Sequence, residues 1–231
     1  VSGVPTSGFP CRLLLFDLDG TLVDSAPDLH AAAQVLCAEL GVPPPAFDDF
    51  RECVSRGGAA MLRCALPAAA EVDVAAMLPR FLAIYEADIA SRGGLFPGMA
   101  DVLAAVGQSG ARWGVVTNKP ERLARRLLDA LDLSSRCAVL IGGDSLPTRK
   151  PDPAPLREAC RRCGVDVRHA VYVGDDPRDV EAARAADMPS VAAAWGYVGD
   201  APPIIDWGAD AVIAAPVDLL AGGLLRLAGM S

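Results

Sequence analysis

A chain of 231 residues with a formal net charge of −8 has room for one sizeable core plus an accessory piece, and its acidity excludes the basic face that a nucleic-acid partner requires. Its 52% hydrophobic content is inflated by alanine, and no run approaches the roughly 18 apolar residues of a membrane span. Seven scattered cysteines do not form the dense framework of a secreted disulfide protein, so a cytoplasmic setting is expected, with small molecules rather than nucleic acid or membrane as partners.

Val1 to Pro10, rich in Gly, Ser and Pro, reads as a loose leader without the charged start and apolar stretch of a secretion signal. A strand is predicted from Arg12 to Phe16. The next seventy-odd residues carry helical patterns at Pro27 to Leu40, Phe47 to Leu66 and Val72 to Ile89 and no strand, far more than a crossover needs, which predicts an inserted helical cap over 26–95 with hinges flanking Ser25 and Pro97. After it, helices at Met99 to Gln108, Glu121 to Ala130, Ala154 to Cys163 and Asp179 to Ala186 alternate with strands at Trp113 to Thr117, Ala138 to Ile141, Ala170 to Val173 and Ser190 to Ala194. A strand at Ala211 to Ile213 and a helix at Leu219 to Leu227 complete the chain. Alternation of short apolar runs with helices is the pattern of a doubly wound α/β parallel sheet, here a Rossmann-like core of 1–25 and 96–231. The Cys160-x-x-Cys163 pair lacks a second ligand pair and lies on one predicted helix, so it reads as packing.

Four polar clusters follow apolar runs, and in an open parallel sheet the carboxyl ends of strands form the ligand crevice. They are Asp17-Leu18-Asp19, Thr117-Asn118, Lys150, and Gly174-Asp175-Asp176-Pro177-Arg178-Asp179. Asp17 and Asp19, two apart at a strand end, can divide labour, one attacking phosphorus and the other supplying and removing a proton. Asp175 and Asp179 add two carboxylates, and a phosphate dianion cannot approach so much negative charge without a cation, most simply Mg²⁺. Lys150 supplies a second positive charge, and Thr117 and Asn118 offer neutral donors. Of 21 basic residues only Lys119 and Lys150 are lysines, so an ammonium at 150 suggests a site too small for a guanidinium. Lys119, before Pro120, reads as a rim or helix-start residue. Neither His30 nor His169 has the partner spacing of a metal or base constellation.

These residues resemble the haloacid dehalogenase-like superfamily, whose four motifs occur in order as Asp17-x-Asp19-Gly20-Thr21, Thr117-Asn118, Lys150 and Gly174-Asp175-x-x-x-Asp179. The resemblance covers the chain from about Arg12 onward. It implies that Asp17 forms an aspartyl-phosphate, that Asp19 serves as general acid and then base, and that Thr117 and Lys150 hold the phosphoryl group. It further implies Mg²⁺ ligation by Asp17, Asp19 through its backbone carbonyl, and Asp175, with Asp179 at the metal site orienting Lys150 or a metal-bound water. Asp176 stands where a small polar residue is common.

Within the superfamily the chain is similar to phosphoglycolate phosphatases and, in its tail, to N-acetylmuramic acid 6-phosphate phosphatases. The features are Gly114 to Pro120, Lys150-Pro151-Asp152-Pro153, and Trp195-Gly196-Tyr197 followed by Trp207-Gly208-Ala209-Asp210. Both implied substrates are phosphomonoesters carrying a carboxylate, and Arg56 with Gly57 in the glycine-rich segment Ser55 to Gly58 is the candidate cap site for it. A dehalogenase is disfavoured by Asp19 and the acidic cluster, and a Schiff-base phosphonatase is excluded because residues 26–95 contain no Lys. A sugar phosphomutase and a non-catalytic binding protein remain as alternatives.

Overall fold

The structure, a computed structural model, describes residues 8–66, 73–199 and 201–227. Leu13-Leu14-Leu15-Phe16 is apolar at every position, as a strand covered on both faces must be, and all four residues are fully buried. This strand, β1 (Leu13–Phe16), is followed along the chain by β2 (Arg112–Val116), β3 (Leu140–Ile141), β4 (Ala170–Gly174), β5 (Ser190–Ala193) and β6 (Ala211–Ile213). They form one parallel sheet in the order β3-β2-β1-β4-β5-β6.

Alternation along β1 divides the core. Leu14 and Phe16 face one cluster, shared with helix α5 (Met99–Gln108) and α6 (Glu121–Ala130), through Val102, Val106 and Leu127 among others. Leu13 and Leu15 face the other, built with α7 (Ala154–Cys163) and α8 (Pro177–Ala185), where Cys160 and Cys163 are free, buried packing residues. Phe16 aligns with Val115 on one side and Val173 on the other, so Asp17, Thr117 and Asp175 leave the sheet at one edge. β1 lies between β2 and β4, the point where the strand order reverses and where a crevice opens.

Between β1 and α5 run α1 (Ala26–Leu40), α2 (Phe47–Arg51), α3 (Gly58–Ala65) and α4 (Val74–Ala87). They bury their own apolar cluster, including Leu29, Leu36, Phe50, Leu62 and Phe81, which also takes in Leu123 and Tyr197. An antiparallel pair, Val23–Asp24 with Gly94–Leu95, carries the chain out and back. Buried Asp28 fastens the return by accepting from Arg92 N at 2.8 Å and Gly93 N at 3.1 Å.

The predicted helix from Phe47 to Leu66 is broken. Gly57 has φ +88°, a conformation other residues rarely adopt, and the chain passes through a short 3₁₀ turn, Val54–Arg56, before α3 begins. This break brings residues 55–58 over the crevice. α4 starts at Val74, capped by Asp73 accepting from Ala75 N at 2.9 Å; Val72, predicted as its first residue, lies outside the described residues. At the other end, Leu219 to Leu227 is not a helix. The 3₁₀ turn Pro216–Leu220 ends before Gly222 and Gly223, both at positive φ, and Leu225–Leu227 pairs in parallel with Phe9–Cys11. Phe9, within the predicted leader, and Cys11, just past it, are buried in that pairing, so the end of the leader is structured; residues 1–7 of it lie outside the described residues.

Candidate active site

The crevice brings Asp17, Asp19, Asp175 and Asp179 together with Lys119 and Lys150. Asp17, the first residue beyond β1, turns one carboxylate oxygen to its neighbour Leu18 N at 2.7 Å and to Lys150 Nζ at 3.0 Å. Lys150 is 3% exposed and bridges: its ammonium also donates to Asp179 Oδ1 at 2.6 Å and to the Tyr172 hydroxyl at 2.7 Å. That hydroxyl donates in turn to Val116 O at 2.7 Å, which fixes it as the acceptor for Lys150.

Asp179 stands in the first turn of α8 because Asp176 caps that helix, accepting from Arg178 N at 2.9 Å while the Asp176 amide donates to Asp179 Oδ2 at 3.1 Å. The helix therefore begins two residues before the predicted Asp179. Asp175 accepts from Thr21 Oγ1 at 2.6 Å, Ser55 Oγ at 2.8 Å and Tyr197 N at 2.8 Å.

Oxygens of Asp17, Asp175 and Asp179 lie within 4.8 Å of one another. Burial, followed by the Asp17 charge, pushes the Asp175 carboxyl up to about 7 against its three hydrogen bonds. Burial also raises Asp179, against the pull of Lys150. Burial opposes the Lys150 ammonium, but Asp17 and Asp179 outweigh it and hold the group above the usual lysine range. One ammonium among three buried carboxylates leaves the cluster short of positive charge, and hard, closely spaced oxygen donors suit a hard divalent ion such as Mg²⁺.

The Asp19 carboxylate is turned elsewhere. It accepts from Ser25 Oγ at 2.5 Å and from Lys119 Nζ at 3.0 and 3.1 Å, one contact to each oxygen. The Lys119 side chain is 6% exposed and its ammonium lies 4.3 Å from the centroid of the Tyr85 ring on α4. Burial works against the Lys119 charge, but Asp19 and Tyr85 outweigh it and raise the group above its ordinary range. Lys119 is thus no rim residue. It is one of only two lysines in the chain, and both stand against carboxylates of the crevice.

Thr117, 4% exposed, accepts from Lys119 N at 3.2 Å through its hydroxyl oxygen. Asn118 donates one amide hydrogen to Lys150 O at 3.0 Å, and its buried Oδ1 has no partner among the described residues. Asp17, Asp19, Thr117, Asn118 and Lys119 border a cavity of about 290 Å³ whose far wall is Val54, Met61, Leu78 and Leu82 from the inserted helices. Arg56 and Gly57 line the same cavity and are exposed, so they sit at its mouth, with Arg56 Nη2 close to Gly199.

Two residues that the sequence reading gave no role tie the inserted helices to the core. Arg178 Nη2 donates to Ser55 O at 2.6 Å while its guanidinium also grips Asp176. Tyr197 donates through its hydroxyl to Asp24 at 2.5 Å and accepts from Ala26 N at 3.0 Å, at the neck of the insertion. The histidines stand apart: His30 packs on Phe47 and Phe50, and His169 precedes β4.

Residues 14–193 match the family of haloacid dehalogenase-like hydrolases. A phosphoglycolate phosphatase of Xanthomonas campestris pv. campestris is 49% identical over 91% of this chain and 95% of its own. An N-acetylmuramic acid 6-phosphate phosphatase of Pseudomonas putida is 41% identical over 90% of this chain and 94% of its own. Among solved structures, a predicted phosphoglycolate phosphatase from Haemophilus somnus superposes with a TM-score of 0.80 at 26% identity, covering 91% of this chain and 97% of the other. No described helix is long and apolar enough to cross a membrane. The chain belongs to the haloacid dehalogenase-like hydrolases and is an enzyme of the phosphoglycolate phosphatase-like kind.

Proposed function

We propose that the chain is a Mg²⁺-dependent phosphatase of small phosphomonoesters working through an aspartyl-phosphate on Asp17. The observation that carries this reading is the buried cluster of Asp17, Asp175 and Asp179 with Lys150 bridging two of its members. In the proposed reaction an Asp17 oxygen attacks phosphorus and the bond from phosphorus to the ester oxygen breaks. Asp19 gives that oxygen its proton. Water then attacks the phosphoryl group, Asp19 takes a proton from it, and the bond to Asp17 breaks to release phosphate.

Lys150 and Thr117, with Asn118, hold the phosphoryl oxygens, and Lys150 keeps Asp17 in line by its second bond to Asp179. Mg²⁺, when bound by Asp17, the Asp19 carbonyl and Asp175, with Asp179 beside them, supplies the positive charge that brings a phosphate dianion to these carboxylates. In this reading residues 26–95 are a cap on a core of 1–25 and 96–231, and its closure excludes water while the ester is cleaved. The seven free thiols suit a cytoplasmic setting.

The substrate proposed first is 2-phosphoglycolate, supported by the 49% identical relative named for it. A second reading, N-acetylmuramic acid 6-phosphate, is supported by the cavity of about 290 Å³ with its apolar wall, which is roomier than a two-carbon acid needs, and by the Pseudomonas relative. Arg56 at the cavity mouth is the cap cation suited to a carboxylate far from the ester oxygen. The test is phosphate release from a panel of phosphoesters with Mg²⁺, repeated with Asp17→Asn and Asp19→Asn. Loss of activity in Asp17→Asn is expected; undiminished turnover would remove Asp17 as the nucleophile, and isomerisation without free phosphate would point to a mutase.

A further inference from the structure

We infer that Lys119 is a specificity-determining residue, the cation that reads a substrate carboxylate attached one carbon away from the phosphoester oxygen. The inference rests on the phosphatase reading and on Asp19 as the group that meets the ester oxygen. Lys119 Nζ lies 3.0 and 3.1 Å from the two oxygens of Asp19. An ester oxygen hydrogen-bonded to Asp19 therefore lies within two short contacts of this ammonium. In 2-phosphoglycolate the carboxyl carbon is two bonds from that oxygen, so the carboxylate falls within reach of Lys119. In a sugar phosphate with a carboxylate beyond the ring it does not.

The surroundings of Lys119 suit this task. Its side chain is 6% exposed, so its charge acts with little screening by water, and it is held between Asp19 on the core and the face of Tyr85 on α4. Tyr85 borders the cavity, and its buried hydroxyl makes no hydrogen bond of ordinary geometry among the described residues, although the Lys119 ammonium lies beside it. A buried hydroxyl without a partner is costly unless a ligand supplies one, and a carboxylate that accepts from Lys119 offers a second oxygen to this group. Arg56, by contrast, is exposed at the mouth.

The experiment compares 2-phosphoglycolate with 2-hydroxyethyl phosphate, which replaces the carboxylate by a neutral group of similar size, in the wild type, Lys119→Met and Lys119→Arg. The wild type should prefer 2-phosphoglycolate in kcat/KM, and Lys119→Met should lower that preference roughly ten- to hundredfold, mainly through KM. Calorimetric binding of the same two esters to Asp17→Asn, with and without Lys119→Met, should show the same loss confined to the carboxylated ester. A preference unchanged by Lys119→Met, or a wild type that does not distinguish the two esters, overturns the inference while leaving phosphate release intact. If neither ester is hydrolysed the 2-phosphoglycolate reading fails while the phosphatase reading still stands on the wider ester panel, and the binding arm then decides the role of Lys119 by itself, equal binding of both esters counting against it.

Discussion

Replacing Asp175 with Asn should make the metal-free protein more stable and less sensitive to pH while removing its activity. Asp175 is 1% exposed, and burial followed by the Asp17 charge pushes its carboxyl from 3.8 up to about 7. Between those two values the folded protein keeps a proton that the unfolded chain has released. The group's contribution therefore favours folding at low pH and is lost as pH rises through about 7. Fully ionised at about pH 8, it costs the fold on the order of 4 kcal/mol. An amide avoids that cost and can keep its oxygen on Tyr197 N and Ser55 Oγ, both at 2.8 Å, while its NH₂ donates to Thr21 Oγ1. Allowing about 2 kcal/mol for weaker neutral hydrogen bonds, the net gain is about 2 kcal/mol, or roughly 4–8 °C in Tm for a chain of this size. Thermal melts in EDTA at about pH 5.5 and about pH 8 measure it. The variant should exceed the wild type at the higher pH, the difference should shrink at the lower, and Mg²⁺ should stabilise only the wild type. A variant no more stable than the wild type at pH 8, with the same slope between the two pH values, would refute the picture of a carboxylate cluster strained by its own charge.

Gly174→Ala should damage the site more than the fold, because its Cβ would stand 2.2 Å from Asp179 Oδ2 and so displace the carboxylate that holds Lys150 and the Asp176 amide. Phosphate release should fall by about two orders of magnitude, with a stability loss of about 1–3 kcal/mol in denaturant titrations. Lys150→Arg should not restore what Lys150→Met loses, since a guanidinium does not fit a point held at 2.6 to 3.0 Å by Asp179, the Tyr172 hydroxyl and Asp17; near-wild-type turnover in the Arg variant would count against it. Tyr197→Phe removes the hydroxyl joining Asp24 and the Ala26 amide and should cost about 1–2 kcal/mol in urea melts; it should also speed hydrogen exchange at the neck of the insertion.

The sheet was legible because its signal is local. Leu13 to Phe16 and Ala170 to Gly174 are continuous buried runs, and each of the four main crossover helices has an apolar stripe of its own. The acidic cluster was legible because parallel register converts ends of strands, far apart in sequence, into neighbours at one edge. Where prediction failed, the deciding partner was distant or the period was interrupted. Leu219 to Leu227 has helical composition, but two glycines at positive φ and pairing with Phe9–Cys11 make it a turn and a strand. Phe47 to Leu66 breaks at Gly57, and that break lets Ser55 reach Asp175 and Arg178, 120 and 123 residues away in sequence.

Lys119 shows where the remaining information lay. No spacing rule joins it to Asp19, one hundred residues earlier, or to Tyr85 on an inserted helix. Yet a chain that uses arginine for 19 of its 21 basic residues spends lysine only at two points, and both are buried against carboxylates of the crevice. Surface positions accept either cation, because water fills whatever a side chain leaves open. A closed site accepts only the one whose size and donor geometry match, so an uncommon choice of cation marks enclosure. The residue type therefore carried what the spacing lacked: both lysines belong to one enclosed site, Lys150 at its acidic floor and Lys119 where core and inserted helices meet.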